Sequence, residues 1–238
     1  TAEVLSSGPS RPKGPKLYVR VNPLSSGLAQ MDLDHVLPAR PDGIMQPKTE
    51  TGKDVNALKS IMKMPIPIIA IATETAGSLF GLGTDGEAAP QLAALTWGAE
   101  DLSNELGATT SRDDNGHLTD PYRLARSLCL FGARAAGVEP VDTVYVDFRN
   151  QEGFERDCMD GVRDGFTCKM AIHPAQVEVI NRIFTPSAEQ VAEARSIIAA
   201  FAEAGDAGVL GIDGKMFDIP HLNRSRKLLD RAIAYGVT

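Results

Sequence analysis

The stretch PIIAIATETAGSLF, residues 67–80, changes character at its midpoint. Ile66–Ala72 is an apolar run of strand length, and Thr73-Glu74-Thr75 places two hydroxyls and a carboxylate at its carboxyl end. Apolar strands that end in polar groups are the units from which α/β enzymes build the carboxyl edge of a parallel sheet, where their working groups sit. The same pattern recurs on both sides. Leu17–Val21, Gly43–Gln46, Ala94–Trp97, Thr143–Val146 and Lys169–Ile172 are further candidate strands. Their spacing of roughly 25–45 residues predicts repeated βα units around a parallel sheet.

The helices between them carry their own signals. Asp120-Pro121 reads as an N-cap and first-turn pair, with Leu124, Leu128, Phe131 and Ala135 on one face and a stop at Gly137. Ser187 with Gln190 fits a capping box that opens a helix through about Ala204. A last helix begins near Pro220, with Leu222, Arg226, Leu229 and Ile233 on one face. Residues 1–15, rich in Ser, Pro, Gly and Lys, read as a loop. About six βα units are countable, against the eight of a closed (β/α)8 barrel. Either the sheet is open with six units, or the first two units of a barrel precede the numbered chain; the loop-like start favours the second. The span 51–66 looks short for a crossover, as if a stretch were missing there.

Composition narrows the partners. A net charge of −7 over 238 residues and a pI near 5.1 argue against a polyanion such as nucleic acid. Cys129, Cys158 and Cys168 form no CxxC pair and are odd in number, which suits reduced thiols in a cytoplasmic protein. No apolar run approaches the ~18 residues of a membrane span.

Several polar residues at strand ends could carry chemistry. Arg20 closes LYVRVN, the second strand runs into Gln46-Pro47-Lys48-Thr49-Glu50, and the fourth into Gly98-Ala99-Glu100-Asp101. Glu74 and Asp101 leave adjacent strands at one edge. Two carboxylates without a Cys or His cluster suit Mg²⁺, which prefers oxygen and keeps several waters; alternatively each caps the helix that follows. Arg20 is either a structural ion-pair partner, for Glu74 or another carboxylate, or a fixed cation aimed at an oxyanion. Gly81-Leu82-Gly83-Thr84-Asp85-Gly86 matches GxGxxG, but it begins eight residues beyond its strand and Pro90 interrupts any following helix, so no dinucleotide site is expected. His173 at a strand end suits a structural hydrogen bond. Gly211–Asp218 reads as a solvated Gly-rich turn with Asp218 near a helix start.

Taken together, LYVRVNP (17–23), DGIMQPKTE (42–50), PIIAIATETAGSLF (67–80), LTWGAEDLSNELGA (95–108), DPYRLARSLCL (120–130), GFTCKMAIHPAQVEVIN (165–181), FTPSAEQVAEAR (184–195) and GIDGKMFDIPHLNRSRKLL (211–229) resemble the citrate lyase β-subunit-like group of the HpcH/HpaI aldolase superfamily, which includes malyl-CoA and citramalyl-CoA lyases. They fall in family order. The resemblance implies a TIM-type (β/α)8 barrel over residues 1–205, lacking its first two units, and a C-terminal lid over 206–238. It implies homotrimers or hexamers and Mg²⁺-dependent cleavage or formation of a C–C bond in a malyl-, citramalyl- or citryl-CoA thioester. By position it makes Glu74 and Asp101 metal ligands, with Glu74 also touching substrate. Arg20 becomes a substrate-contacting catalytic group, and Asp218 a lid residue that reaches a neighbouring subunit's site. A thioester hydrolase, a pyruvate-type aldolase without CoA, a subunit needing an acyl-carrier partner and a non-catalytic subunit are the rival outcomes on the same scaffold.

Overall fold

The computed structural model describes Thr1, Leu5, residues 14–88 and residues 90–237. Most of the loop expected over residues 1–15 therefore lies outside the described residues. The chain forms two compact units, residues 1–176 and 177–238, whereas the sequence reading placed the boundary at 205.

The first unit holds six parallel strands that pair in chain order: β1 (Tyr18–Arg20), β2 (Gly43–Gln46), β3 (Ile68–Ile71), β4 (Leu92–Thr96), β5 (Glu139–Asp142) and β6 (Cys168–Lys169). Helices α1 (Ala29–Val36) and α2 (Gly52–Met62) follow β1 and β2, 3-10 segments follow β3, α3 (Ala99–Leu106) and α4 (Asp120–Ala136) both follow β4, and α5 (Gln151–Asp164) and α6 (Ala175–Phe184) follow β5 and β6. Ile44, Ile68, Ala70 and Leu95 are wholly buried, so the apolar runs do become the sheet's core. This is a parallel α/β sheet with six of the eight strands that a closed barrel needs. In the span 51–66 the chain forms α2, opened by a capping box between Thr51 and Asp54.

Three expectations shift in register, one being the sixth strand, which is Cys168–Lys169 rather than Lys169–Ile172. The fifth strand is Glu139–Asp142, not Thr143–Val146. The TVYV run has the higher strand propensity, but pairing with Ala94–Thr96 selects the residues before it. Ending the strand at Asp142 places that carboxylate inside, where it accepts from Trp97 Nε1 at 2.7 Å and from Arg126 Nε at 3.2 Å, with Lys169 Nζ at 3.4 Å. Burial alone would push the Asp142 carboxyl up, yet Lys169 and Arg126 hold it below the usual range. On α4 the inward face is Tyr122, Ala125, Cys129, Gly132 and Ala133, while Leu124 and Phe131 are 57% and 64% exposed. The expected stripe is one step round the helix from the true one, because small residues here pack against the 3-10 segment Leu82–Ala88. Gly137 does end α4, and the helix starts on Asp120 with Thr119 as its cap residue.

The second unit is built around Ile197, Phe201 and Leu222. Helix α7 (Ala188–Ala204) opens on the expected Ser187–Gln190 capping box. The segment read as a plain turn is an antiparallel hairpin, β7 (Val209–Ile212) and β8 (Lys215–Asp218), with Ile212 paired to Lys215. Its two-residue loop is Asp213-Gly214, both at positive φ (49° and 75°), the conformation that Asp-Gly turns supply in tight hairpins. Helix α8 (Ile219–Ala234) then buries Leu222, Ser225 and Ala232, leaving Ile233 exposed.

Cys129 and Cys158 are buried thiols, and Cys168 is partly buried. No helix among the described residues is long and apolar enough to cross a membrane. Gly81–Gly86 forms no phosphate loop: it lies in 3-10 turns, and any side chain at Gly81 would run into the Glu50 carbonyl.

That segment also buries an unpartnered acid. Neither oxygen of Asp85 has a hydrogen-bond partner among the described residues, and burial, with the Asp54 charge nearby, raises its pKa to about 7. An unfolded aspartate titrates near 3.9, so folding keeps Asp85 neutral and loses stability as pH rises from about 4 to about 7. Asp85→Asn removes the charge at nearly constant shape. Thermal melts should show it stabilising, by up to about 4 kcal/mol at pH 8 and distinctly less at pH 5. A gain that is equal at both pH values would refute the burial argument.

Candidate functional site

The parallel order brings the ends of β1 to β4 side by side. Arg20 is the last residue of β1, Lys48 lies two residues beyond β2, Glu74 three beyond β3, and Asp101 in the first turn of α3 after β4. Three of these four sit as a connected group. The Lys48 backbone amide donates to Glu74 Oε2 at 2.5 Å, and the Lys48 ammonium stands 3.3 Å from Asp101 Oδ1. The Asp101 charge lies near enough to Glu74 to help raise its pKa.

Glu74 is buried, and burial is the main cause raising its pKa; the Lys48 amide opposes that rise and the Asp101 charge adds to it. Neither carboxylate caps a helix. The cap residue of α3 is Gly98, without a side-chain bond, and Glu74 spends its hydrogen bond on a neighbouring loop. A carboxylate pair held together, one member desolvated, at an opening of the strand edge has the donor chemistry that Mg²⁺ requires: hard oxygens, few protein ligands and room for water or substrate. Among the described residues no group of three or more His, Cys, Asp or Glu offers an alternative metal cage.

Gly98 makes this geometry possible. A Cβ there would come within 2.7 Å of Glu74 Cγ, so only glycine lets the β4–α3 turn close over the acid. Its amide donates to Thr73 Oγ1 at 3.1 Å, fixing the two turns to each other. The loop after Glu74 is tied down as well, by Thr75 Oγ1 to Glu50 Oε1 at 2.7 Å and by the Ala76 amide to Glu105 Oε1 at 2.7 Å.

Arg20 departs from one expectation. It is exposed at its strand end and makes no ion pair among the described residues, so it is neither a buried charge nor a structural partner of Glu74. Its cation is free to meet an anion. His173 behaves as a structural group, stacked on Phe148 at 4.5 Å with Nδ1 accepting from the Ala175 amide. In the second unit Asp218 ends β8 and caps α8, forming a reciprocal box with His221. The His221 hydrogen bond is the main cause that lowers its pKa.

The sequence reading named Glu74, Asp101 and Arg20 but missed Lys48 and Gly98. Both lie inside the strings QPKTE and TWGAED, yet nothing in their spacing announces a positive-φ lysine or a glycine pressed on a carboxylate. A groove of about 860 Å³ on the first unit includes none of these residues. Its arginines are already neutralised, Arg112 by Asp157, Arg126 by Asp142 and Asp164, and Arg163 by Asp160.

Several known proteins are similar to this chain over most of its length. The (3S)-malyl-CoA thioesterase of Cereibacter sphaeroides is 35% identical over 222 residues, spanning 91% of this chain and 74% of the relative. The mitochondrial citramalyl-CoA lyase of Mus musculus is 32% identical over 235 residues, or 90% of this chain and 68% of its own. Among solved structures, protein CitE from Mycobacterium tuberculosis, crystallised with magnesium, acetoacetate and coenzyme A, superposes with a TM-score of 0.75 at 31% identity, covering 90% of this chain and 77% of that one. The HpcH/HpaI aldolase/citrate lyase family matches residues 10–174. On the strength of that match and of identities above 30% across nine-tenths of its length, this chain belongs to the HpcH/HpaI aldolase/citrate lyase family.

Proposed function

We propose that this chain is a Mg²⁺-dependent CoA-ester lyase that cleaves, or forms, the C–C bond of a 3-hydroxyacyl-CoA such as malyl-, citramalyl- or citryl-CoA, giving acetyl-CoA and a keto acid. The observation that carries the reading is the Glu74–Asp101 pair, joined through Lys48 at the strand edge, with Arg20 exposed at the end of β1. The magnesium named with the CitE structure and the thioester substrates named for the relatives support the same chemistry.

Glu74 and Asp101 would hold the ion, which supplies Lewis-acid polarisation of the substrate's hydroxyl and carboxylate oxygens. The hydroxyl gives up its proton, the bond between the hydroxyl carbon and the thioester α-carbon breaks, and the electron pair passes to the thioester as an enolate. Arg20 presents a permanent charge to that developing oxyanion, where a guanidinium also offers paired N–H donors. Asp218 would act across a subunit boundary in a homo-oligomer, trimer or hexamer. Held by His221 it stays ionised, which suits taking the hydroxyl proton and then returning it to the enolate carbon. The exposed apolar stripe of Leu124 and Phe131 on α4 is consistent with burial between subunits.

One specific observation favours a second outcome. The C. sphaeroides relative is named a thioesterase, and the same metal site could direct water at the thioester carbonyl. Product analysis separates the two. A lyase releases keto acid and acetyl-CoA together, whereas a hydrolase releases free thiol and intact hydroxy acid.

Glu74→Gln is expected to abolish Mg²⁺-dependent turnover, by about 10³-fold or more if the metal supplies several kcal/mol. Turnover and metal dependence that survive the change would remove Glu74 from the site. Gly98→Ala should displace Glu74 and lower Mg²⁺ affinity while leaving the melting transition cooperative. For the lid, purified Arg20→Ala and Asp218→Ala proteins should each be nearly inactive, and mixing them should recover a fraction of the activity. No recovery in a demonstrably mixed oligomer would place Asp218 in its own subunit's site or outside catalysis.

A further inference from the structure

Lys48 occupies a backbone conformation that lysine rarely adopts, with φ at 51°. Such geometry persists only where the surroundings enforce it, and it collects at functional sites. Here it lets one residue hold both members of the carboxylate pair by different atoms. The amide is fixed on buried Glu74 at 2.5 Å, and the ammonium reaches Asp101 at 3.3 Å.

These two attachments differ in strength. The amide bond is short, part-buried and made by the backbone. The ion pair is open, with side-chain exposures of 44% and 48% for Lys48 and Asp101. Open pairs of this kind shift an equilibrium by no more than about fivefold. The lysine stem is long and flexible, so its ammonium can leave Asp101 while the amide stays on Glu74. There is room for it to move: a cavity of about 280 Å³ is lined by Lys48 together with Gln46, Glu50, Asp54 and Thr75. Two of those residues are carboxylates able to receive a displaced cation.

We propose that the Lys48 side chain is a displaceable counter-ion of the carboxylate pair: it neutralises Asp101 when no divalent ion is bound, and a divalent ion must displace it to bind. The inference rests on the reading of Glu74 and Asp101 as metal ligands. Its physical basis is competition. Two neighbouring carboxylates repel each other and need a cation, and the ammonium supplies one without the geometry of a metal. An arriving Mg²⁺ then meets Glu74 already fixed by the Lys48 amide, but it must break the ion pair to Asp101 and overcome repulsion from the ammonium.

Lys48 is therefore a positioning residue through its backbone and a brake on metal affinity through its side chain. Isothermal titration of the full chain with MgCl₂ tests this without any substrate. Lys48→Met and Lys48→Gly both delete the ammonium, and glycine also relieves the positive φ. Both are expected to bind Mg²⁺ two- to fivefold more tightly than the parent, whereas Lys48→Arg keeps the charge and should show no such gain. The advantage of Lys48→Met should shrink as KCl is raised, because salt screens an exposed pair.

Unchanged or weaker binding in both deletion variants would overturn the proposal, as would an equal gain in Lys48→Arg. Glu74→Gln run alongside keeps the two failures apart. If the parent binds Mg²⁺ and Glu74→Gln does not, the metal reading stands whatever Lys48 does. If the parent binds none, or Glu74→Gln binds as well as the parent, that reading fails and the counter-ion role fails with it.

Discussion

Strands β1 to β4 run the same way and pair in chain order, so their chains all leave the sheet at one edge within neighbouring strand spacings. That constraint makes the site. Glu74 and Asp101 are 27 positions apart in the sequence, and Lys48 is 26 positions before Glu74. No local structure could gather them. Parallel pairing does so automatically, because each βα unit repeats the same geometry and returns the next strand to the same side. The register between β2 and β3, with Gln46 opposite Ala70, puts the Lys48 amide within reach of the Glu74 carboxylate.

Holding a carboxylate in that position has an electrostatic cost, which neighbouring groups share. Glu74 is desolvated and faces a second acid, and both effects favour its neutral form. The Lys48 amide and ammonium offset them from one side, and Gly98 gives way on the other. Asp142 meets a similar cost differently: it is surrounded by Lys169, Arg126 and Trp97 and remains ionised. The contrast separates a carboxylate whose charge is fully matched from a pair whose charge is not. Asp142 has every oxygen engaged and its charge matched, whereas the Glu74–Asp101 pair carries more negative charge than one exposed lysine can firmly hold. A charge left weakly matched at an open strand edge is suited to a divalent cation.

The second unit follows a local logic. Asp218 stands at the junction of a hairpin and a helix, and its capping box with His221 accounts for its conformation and its lowered pKa without reference to any substrate. A residue can cap a helix and still present one oxygen outward, since the cap uses only part of its accepting capacity.

Much of this was legible in the chain. Periodicity and strand-end chemistry gave the parallel α/β class, Gly43–Gln46 to the residue, the Ser187–Gln190 box and the Gly137 stop. Ordered motifs gave the family. These features are local: a strand, a cap and a turn each depend on a few adjacent residues. The misread elements are the ones that depend on distant partners. Glu139–Asp142 became the fifth strand in place of the stronger β-former beside it because β4 pairs there, and α4 turned small residues inward because the segment 82–88 lies against it. The same division runs through the site. The sequence by itself determined which carboxylates stand at strand ends. Only the tertiary structure decided that Arg20 makes no ion pair among the described residues, that a side chain at Gly98 would press on Glu74, and that Lys48 grips both acids. Those properties arise from atoms brought within a few ångströms by strand pairing, and no spacing along the chain encodes that distance.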